Sequence, residues 1–329
     1  MVLPDPTETD TFNRAEAAAV REFKRRFPEI FKRKYRHKYA ANPKLYGKHN
    51  WDRVRIELHR SSGIVVEDLE TDLLAIAGGV APDVLYVNFR KSDNYIRNGF
   101  LYPLDKPKDR YLTAMSRQEK DFRINPKIWP VIRRKGPRGA EHVWAIPFGG
   151  AVGRVLMYRK DLFDELNVPY PTIEWTWQDL LAACRKLTDP KNGIYALRFY
   201  RGQHESWEWI TFLWSAGGDV MVYDKQKDQW RCVFDSREAA VALDFYTQLC
   251  TEEWTDKEGK TRRGYAYKEA GSATKWERGQ IAMSFEYMDE KLFSKLNPEV
   301  VGMVPVPLGP PDKNGSRIRA AELNSKMMG

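Results

Sequence analysis

The chain has 329 residues, of which 42% are hydrophobic, 13% aromatic and 30% charged. This composition excludes wholesale disorder and gives enough length for two domains. Its apolar runs, such as residues 76–81, fall far short of the roughly 20 residues that cross a bilayer as a helix. Lys and Arg outnumber Asp and Glu by nine, and residues 1–60 hold 15 basic against 8 acidic side chains, so the excess is local.

In chain order, residues 1–10 lack the basic region and apolar run of a secretory signal. Residues 13–27 then place Ala15, Ala18, Ala19, Phe23 and Phe27 at helical spacing, and Pro28 predicts the end of that helix. A basic segment overlaps it, with Lys24-Arg25-Arg26, Lys32-Arg33-Lys34, Arg36 and Lys38 interleaved with Phe27, Phe31, Tyr35 and Tyr39. Three readings of it stand side by side. It is an amphipathic helix with a solvated extension and inward-facing rings, or a grip for phosphates whose rings stack on bases, or a segment drawn to anionic headgroups.

Residues 54–59 alternate as a half-buried strand does, 66–77 return to helical spacing ended by Gly78-Gly79, and 83–88 read as a strand buried on both faces. Further strands are predicted at 143–147, 154–158, 193–199, 280–285 and 300–307. Helices are predicted from 161 to 166, from 176 to 187 with Thr176 as cap and Asp179 in the first turn, from 205 to 214 ended by Gly217-Gly218, and from 236 to 249 capped by Ser236. Polar stretches 106–123 and 252–268 read as surface excursions, the second as a mobile loop. Strand and helix alternate as in an open α/β layer.

The usual catalytic signatures are missing: no G-x-S-x-G, Walker loop, H-E-x-x-H or G-x-G-x-x-G occurs. His37, His49, His59, His142 and His204 show no i,i+4 or H-x-H spacing and are expected at surfaces or strand edges, so neither a metal nor a cofactor is expected. Cys184, Cys232 and Cys250 form no C-x-x-C pair and are expected as core thiols. Glu252-Glu253 and Asp289-Glu290 read as solvated faces, which leaves no carboxylate pair for glycoside hydrolysis.

A series of phrases occurs in a telling order. They include Phe23-Lys-Arg-Arg-Phe-Pro-Glu-Ile, Leu73-Leu-Ala-Ile-Ala-Gly-Gly-Val-Ala-Pro-Asp-Val, Gly99-Phe-Leu-Tyr-Pro-Leu-Asp, Val143-Trp-Ala-Ile-Pro, Leu156-Met-Tyr-Arg-Lys-Asp-Leu-Phe, Leu213-Trp-Ser-Ala-Gly-Gly-Asp, Gly279-Gln-Ile-Ala-Met and Val304-Pro-Val-Pro-Leu-Gly-Pro. In this order the chain resembles extracellular solute-binding protein family 1 of carbohydrate ABC transporters, which is maltose-binding-protein-like. The resemblance implies a two-lobed type II periplasmic-binding-protein fold, each lobe a mostly parallel sheet flanked by helices. Residues 1–150 would form the N-terminal lobe, completed by 299–329, and 151–298 the C-terminal lobe. Hinges would fall near 148–155, with Gly149, Gly150 and Gly153, and near 297–305; an ordinary glycine turn competes with the first.

The function implied is capture of a sugar or oligosaccharide in an interlobe cleft and delivery to a membrane permease, by a periplasmic or cell-surface monomer that does no covalent chemistry. Aromatic platforms would come from Trp144, Trp207, Trp209 and Tyr287. By analogy with the family, Glu8, Asp10, Thr11, Asn88, Asp93, Gly217, Gly218 and Glu286 would also line the cleft. The resemblance also leaves room for another ligand, such as a metal, a polyamine, a phosphate ester or an acidic sugar. Competing functions are nucleic-acid or anionic-polymer binding through segment 24–48 and a carbohydrate-active enzyme. Only Val2-Leu3 stands where the family has its first strand, and the chain stops at Met327-Met328-Gly329 where the family continues. An internal fragment of a longer protein is therefore expected.

Overall fold

The computed structural model describes residues 11–41, 44, 50, 53, 75–76, 78–79, 81, 84–85, 87, 89–107, 112–147, 152–202, 205–224, 226–227, 229–269, 271–288, 297–325 and 327–329. The chain divides into two compact units, 1–151 with 325–329, and 152–324. The strand expected at 54–59 lies outside the described residues, as do most of the helix at 66–77 and part of the strand at 83–88.

The first unit opens with helices α1 (Thr11–Lys34) and α2 (Arg36–Ala40). α1 runs on through Pro28, where the sequence predicts a stop. Proline there removes one i→i−4 hydrogen bond, yet Phe27, Phe31 and Tyr35 keep the four-residue spacing across it, with successive ring centroids 6.2 Å apart. Helix α3 (Phe89–Arg97) buries Tyr95 and Ile96. The stretch 106–123 is largely a surface excursion, as expected, but Leu112 is buried, and α4 (Arg117–Arg123), which buries no residue, forms on a capping box between Ser116 and Glu119. After α5 (Trp129–Ile132), β1 (Arg133–Lys135) pairs antiparallel with β2 (Glu141–Val143). β3 (Ile146–Pro147) pairs with the final strand Met327–Met328. The Leu85 and Val87 amides donate to the Gly329 and Met327 carbonyls at 2.9 and 2.8 Å, so the last residues of the chain complete this unit's core around Val87, Tyr95, Ile132, Val143 and Met327.

The second unit is built on one sheet. Its strands are β4 (Val152–Arg159), β5 (Tyr195–Arg198), β10 (Ala266–Tyr267), β11 (Ile281–Tyr287), β12 (Val301–Pro305) and β13 (Leu323–Asn324), after the hairpins β6 (Met221–Asp224) with β7 (Gln229–Cys232) and β8 (Glu253–Thr255) with β9 (Thr261–Arg263). The order is β10-β5-β11-β4-β12, with β13 also on β4. β10, β5 and β11 pair parallel, and β4 runs against both β11 and β12. Helices α6 (Lys160–Glu165), α7 (Trp177–Leu187), α8 (Glu205–Ser215) and α9 (Arg237–Thr251) accompany it. Thr176 and Asp179 form the expected cap of α7, and Ser236 that of α9. Between sheet and helices, Trp177 stacks on Phe245 at 4.6 Å and Phe212 meets Phe285 edge-on at 5.7 Å.

Four expectations are corrected here. Residues 299–324 belong to the second unit, because β12 pairs with β4 from Val155 to Arg159; only 325–329 return to the first. The chain therefore passes between units at 151/152 and 324/325, not near 297–305. Residues 252–268 are not a mobile loop but a hairpin that leads into a sheet strand. Asp256 accepts from the Glu258 and Lys260 amides at 2.9 Å to form its turn, and Trp254 stacks on Tyr265. Cys184 is buried and Cys250 half-buried, but Cys232 is exposed because hairpin β6–β7 presents both strands to solvent.

Gly264 closes the β9 return at φ +62°, where an added Cβ would stand 2.2 Å from the Cys250 carbonyl oxygen. Both the left-handed backbone and the collision oppose a side chain. Gly264→Ala is expected to cost about 2–4 kcal/mol in denaturant unfolding.

Candidate functional site

In open α/β sheets ligands bind beyond the carboxyl ends of the parallel strands. In the second unit these are the ends of β5 and β11, and the antiparallel β4 begins beside them. The register sets Arg198 beside Ser284 and Tyr287 opposite Arg154. Side chains alternate along a strand, so Ser284, Glu286 and Arg198 share one face while Arg154 and Tyr287 share the other.

On the first face Glu286 gathers three donors. Ser284 Oγ donates to it at 2.6 Å, Arg198 Nη1 at 3.2 Å and the Tyr200 hydroxyl at 3.3 Å. The Arg198 guanidinium also stands over the Tyr200 ring, 4.4 Å from its centroid. Burial together with the neighbouring Glu286 charge pushes the Tyr200 phenol up to about 12. On the second face Arg154 donates to the Trp207 carbonyl at 2.6 Å, to the Phe285 carbonyl at 3.2 Å and to Glu208 at 3.5 Å, and it lies over the Tyr287 ring. The Tyr287 hydroxyl donates to Glu322, and burial, together with that contact, pushes the phenol up. Glu208 accepts from the Tyr200 amide at 2.8 Å, and its own burial pushes its carboxyl up to about 8. The Nε atoms of Arg154 and Arg198 are buried without a hydrogen-bond partner.

The result is a shelf of aromatic rings and oriented polar groups at one end of the sheet, the chemistry that a sugar's apolar face and hydroxyls require. The first unit also holds a cavity of about 740 Å³, lined by residues such as Leu85, Phe100, Tyr102, Leu104, Ile146 and Met328. Its apolar wall offers few fixed partners for hydroxyls.

The sequence-derived candidates separate accordingly. Glu286 and Tyr287 stand on the shelf, and Trp207 touches it through its backbone carbonyl, which accepts from Arg154. Trp209 lies one turn into α8, packs on the core and meets Phe234 at 5.0 Å. Gly217 and Gly218 cap the far end of α8, with amides donating to the Trp214 and Leu213 carbonyls, about 15 Å of helix from Trp207. In the first unit Trp144 is buried and its indole donates to the Arg134 carbonyl at 2.9 Å, while the Arg134 guanidinium pairs with the exposed Asp93. Arg134 thus joins Asp93 to Trp144. Gly153 is a strand residue opposite Leu323. Thr11 begins α1, and Glu8, Asp10, Asn88, Gly149 and Gly150 lie outside the described residues.

Sequence reasoning missed Arg154, Arg198, Tyr200, Glu208, Ser284 and Glu322. A signal existed for three of them: Arg154 and Arg198 interrupt apolar strands, and Glu208 sits between two tryptophans in an apolar helix. A charge at such a position needs a buried partner.

A family of bacterial extracellular solute-binding proteins matches residues 64–326. No curated protein sequence matches the chain. Solved structures share its fold, among them the following three. The cycloalternan-bound ABC substrate-binding protein of Listeria monocytogenes is 20% identical at TM-score 0.57, over 79% of this chain and 59% of that one. The tagatose-bound solute-binding protein of Thermotoga lettingae is 20% identical at 0.59, over 92% and 69%. UgpB of Mycobacterium tuberculosis, in complex with glycerophosphocholine, is 16% identical at 0.61, over 95% and 67%. The chain spans 59–69% of the length of these structures. The likeness is one of fold, the type II periplasmic-binding-protein architecture with its α/β lobes. Since the family match covers most of the sequence and the fold agrees with it, the chain belongs to the bacterial extracellular solute-binding proteins.

Proposed function

We propose that the chain is the substrate-binding component of an ABC importer, taking up a sugar or oligosaccharide outside the cytoplasm and passing it unchanged to a membrane permease. It works as a periplasmic or cell-surface monomer. The observation that carries the reading is the shelf of Arg198, Tyr200, Ser284, Glu286 and Tyr287 at the carboxyl ends of β5 and β11 in a chain of this family. Tyr200 and Tyr287 supply flat faces for the pyranose, and the Arg198–Glu286 pair supplies both a donor and an acceptor to hydroxyls. The two units correspond to the two lobes, and the chain passes from one to the other at 151/152 and 324/325, where Val152 and Asn324 are paired. The family binds rather than catalyses, and we assign no covalent step.

A thermal-shift screen tests this, with tagatose, maltose, mannitol and glycerophosphocholine as first probes because related folds hold such ligands. A ligand present at a hundred times its Kd stabilises the native state by about 2.7 kcal/mol. The expected result is a midpoint shift with a saccharide or polyol that salt leaves unchanged, weakened about tenfold by Tyr287→Ala. A shift with no saccharide or polyol, or one indifferent to Tyr287→Ala and Arg198→Ala alike, counts against the shelf.

A further inference from the structure

The shelf leaves the basic N-terminal segment without a role. α1 and the turn after it carry Phe23, Phe27, Phe31 and Tyr35 at four-residue intervals, with successive ring centroids 5.0, 6.2 and 6.2 Å apart. This makes one aromatic strip along about 18 Å of helix. No α1 side chain is buried among the described residues; Phe23 is 49% exposed and Tyr35 40%. Residues 21–38 hold nine Lys and Arg against two Glu. Both glutamates are already matched, Glu22 with Arg25 and Arg26, and Glu29 with Lys32. Lys24, Arg33 and Lys34 are exposed, and no carboxylate pairs with them among the described residues. Lys24 stands three residues from Phe27 and Lys34 three from Phe31, so both ammonium groups flank the strip.

We propose that residues 23–36 form a docking surface for an anionic lipid bilayer, with the exposed rings settling at the headgroup boundary and the basic side chains on lipid phosphates. A helix with one apolar strip and cations beside it lies in the plane of a membrane interface. Local charge is complementary to such a surface, and a member of an extracellular family meets lipid outside the cell. Nucleic acid is less well suited: successive rings lean on one another, tilted by 38–45° with centroids 5.0–6.2 Å apart, and leave no gap between parallel faces for a base to enter. The proposal is independent of which solute the protein carries.

Flotation of the whole chain with vesicles tests it. Vesicles of equal parts phosphatidylcholine and phosphatidylglycerol are expected to carry the protein at low salt, and phosphatidylcholine alone is not. Each basic residue near an anionic surface contributes about fivefold, so the triple variant Lys24→Glu, Arg33→Glu, Lys34→Glu is expected to weaken binding about 100-fold or more. Phe23→Ala with Tyr35→Ala is expected to weaken binding while leaving its salt dependence intact. Should the triple variant fail to fold, wild-type protein in about 0.5 M salt gives the same answer, since screening then removes the attraction. Equal binding to neutral vesicles, undiminished binding by the triple variant, or retention at high salt overturns the proposal. So does tighter binding to a short DNA duplex that the same triple variant abolishes, which would reassign the surface to nucleic acid.

Discussion

Between about pH 5 and pH 8 the protein is expected to lose stability as pH rises, and Glu208→Gln is expected to abolish that loss. The Glu208 carboxyl lies wholly inside the second unit. Burial disfavours its charged form most strongly and Glu286 adds repulsion, while Arg154, Arg198 and the Tyr200 amide favour the ion; the balance puts it at about 8. An unfolded chain releases that proton near 4.5, so in the intervening window the folded state binds more protons than the unfolded one. The Glu208 contribution is then fully present below 4.5, falls through the window by at most about 1.4 kcal/mol per pH unit, and falls no further above the folded value. Glu205, Glu252 and Asp256 are displaced the opposite way, their ion pairs and hydrogen bonds outweighing burial, so what they contribute is lost only in acid. Denaturant unfolding across the window checks this. A slope that persists in Glu208→Gln would assign it to another group.

The contrast between Glu208 and the capping residues shows what was legible in the sequence. Thr176, Asp179 and Ser236 act within one turn of their own helix, so spacing alone identifies them. The strand from Gln280 was readable because its side chains meet an apolar core on both faces. Pro28 misled because a local rule was overridden by a run of aromatic contacts extending seven residues beyond it. The 252–268 hairpin was hidden because its polar surface masks an Asx turn at Asp256 and a stacked Trp254–Tyr265 pair. The family resemblance pointed to Glu286 and Tyr287, which stand at the carboxyl end of β11. It did not reach Arg154, Arg198, Tyr200 or Glu322, which meet those residues only through sheet register and contacts between parts of the chain far apart in sequence. Assignment of 299–324 to the first unit failed for the same reason, since only pairing with β4 decides it.

Arg154→Met is expected to be the most damaging single change in the second unit, at about 3–5 kcal/mol. The guanidinium ties the start of α8, through the Trp207 carbonyl, to β11, through the Phe285 carbonyl. Removing it takes a donor from two carbonyls, the first of which also accepts from the Thr211 hydroxyl at 3.4 Å, and deprives the buried Glu208 of the cation that most favours its ion, pushing that carboxyl higher still. The distances say which loss dominates. At 3.5 Å the contact to Glu208 is long for a charge-assisted bond, whereas the carbonyl contacts are 2.6 and 3.2 Å. With Glu208 protonated at neutral pH, the two side chains are therefore expected to couple by less than about 1 kcal/mol there, so most of the loss should persist in the Glu208→Gln background. Above pH 8 the carboxylate ionises and the coupling should grow. Arg154→Lys should recover less than half of the loss, because one ammonium on a flexible stem cannot reach acceptors on both elements at once. A double-mutant cycle at the two pH values separates the alternatives: strong coupling at neutral pH would mean that Glu208 is ionised there, and both predictions for this pair would fall together.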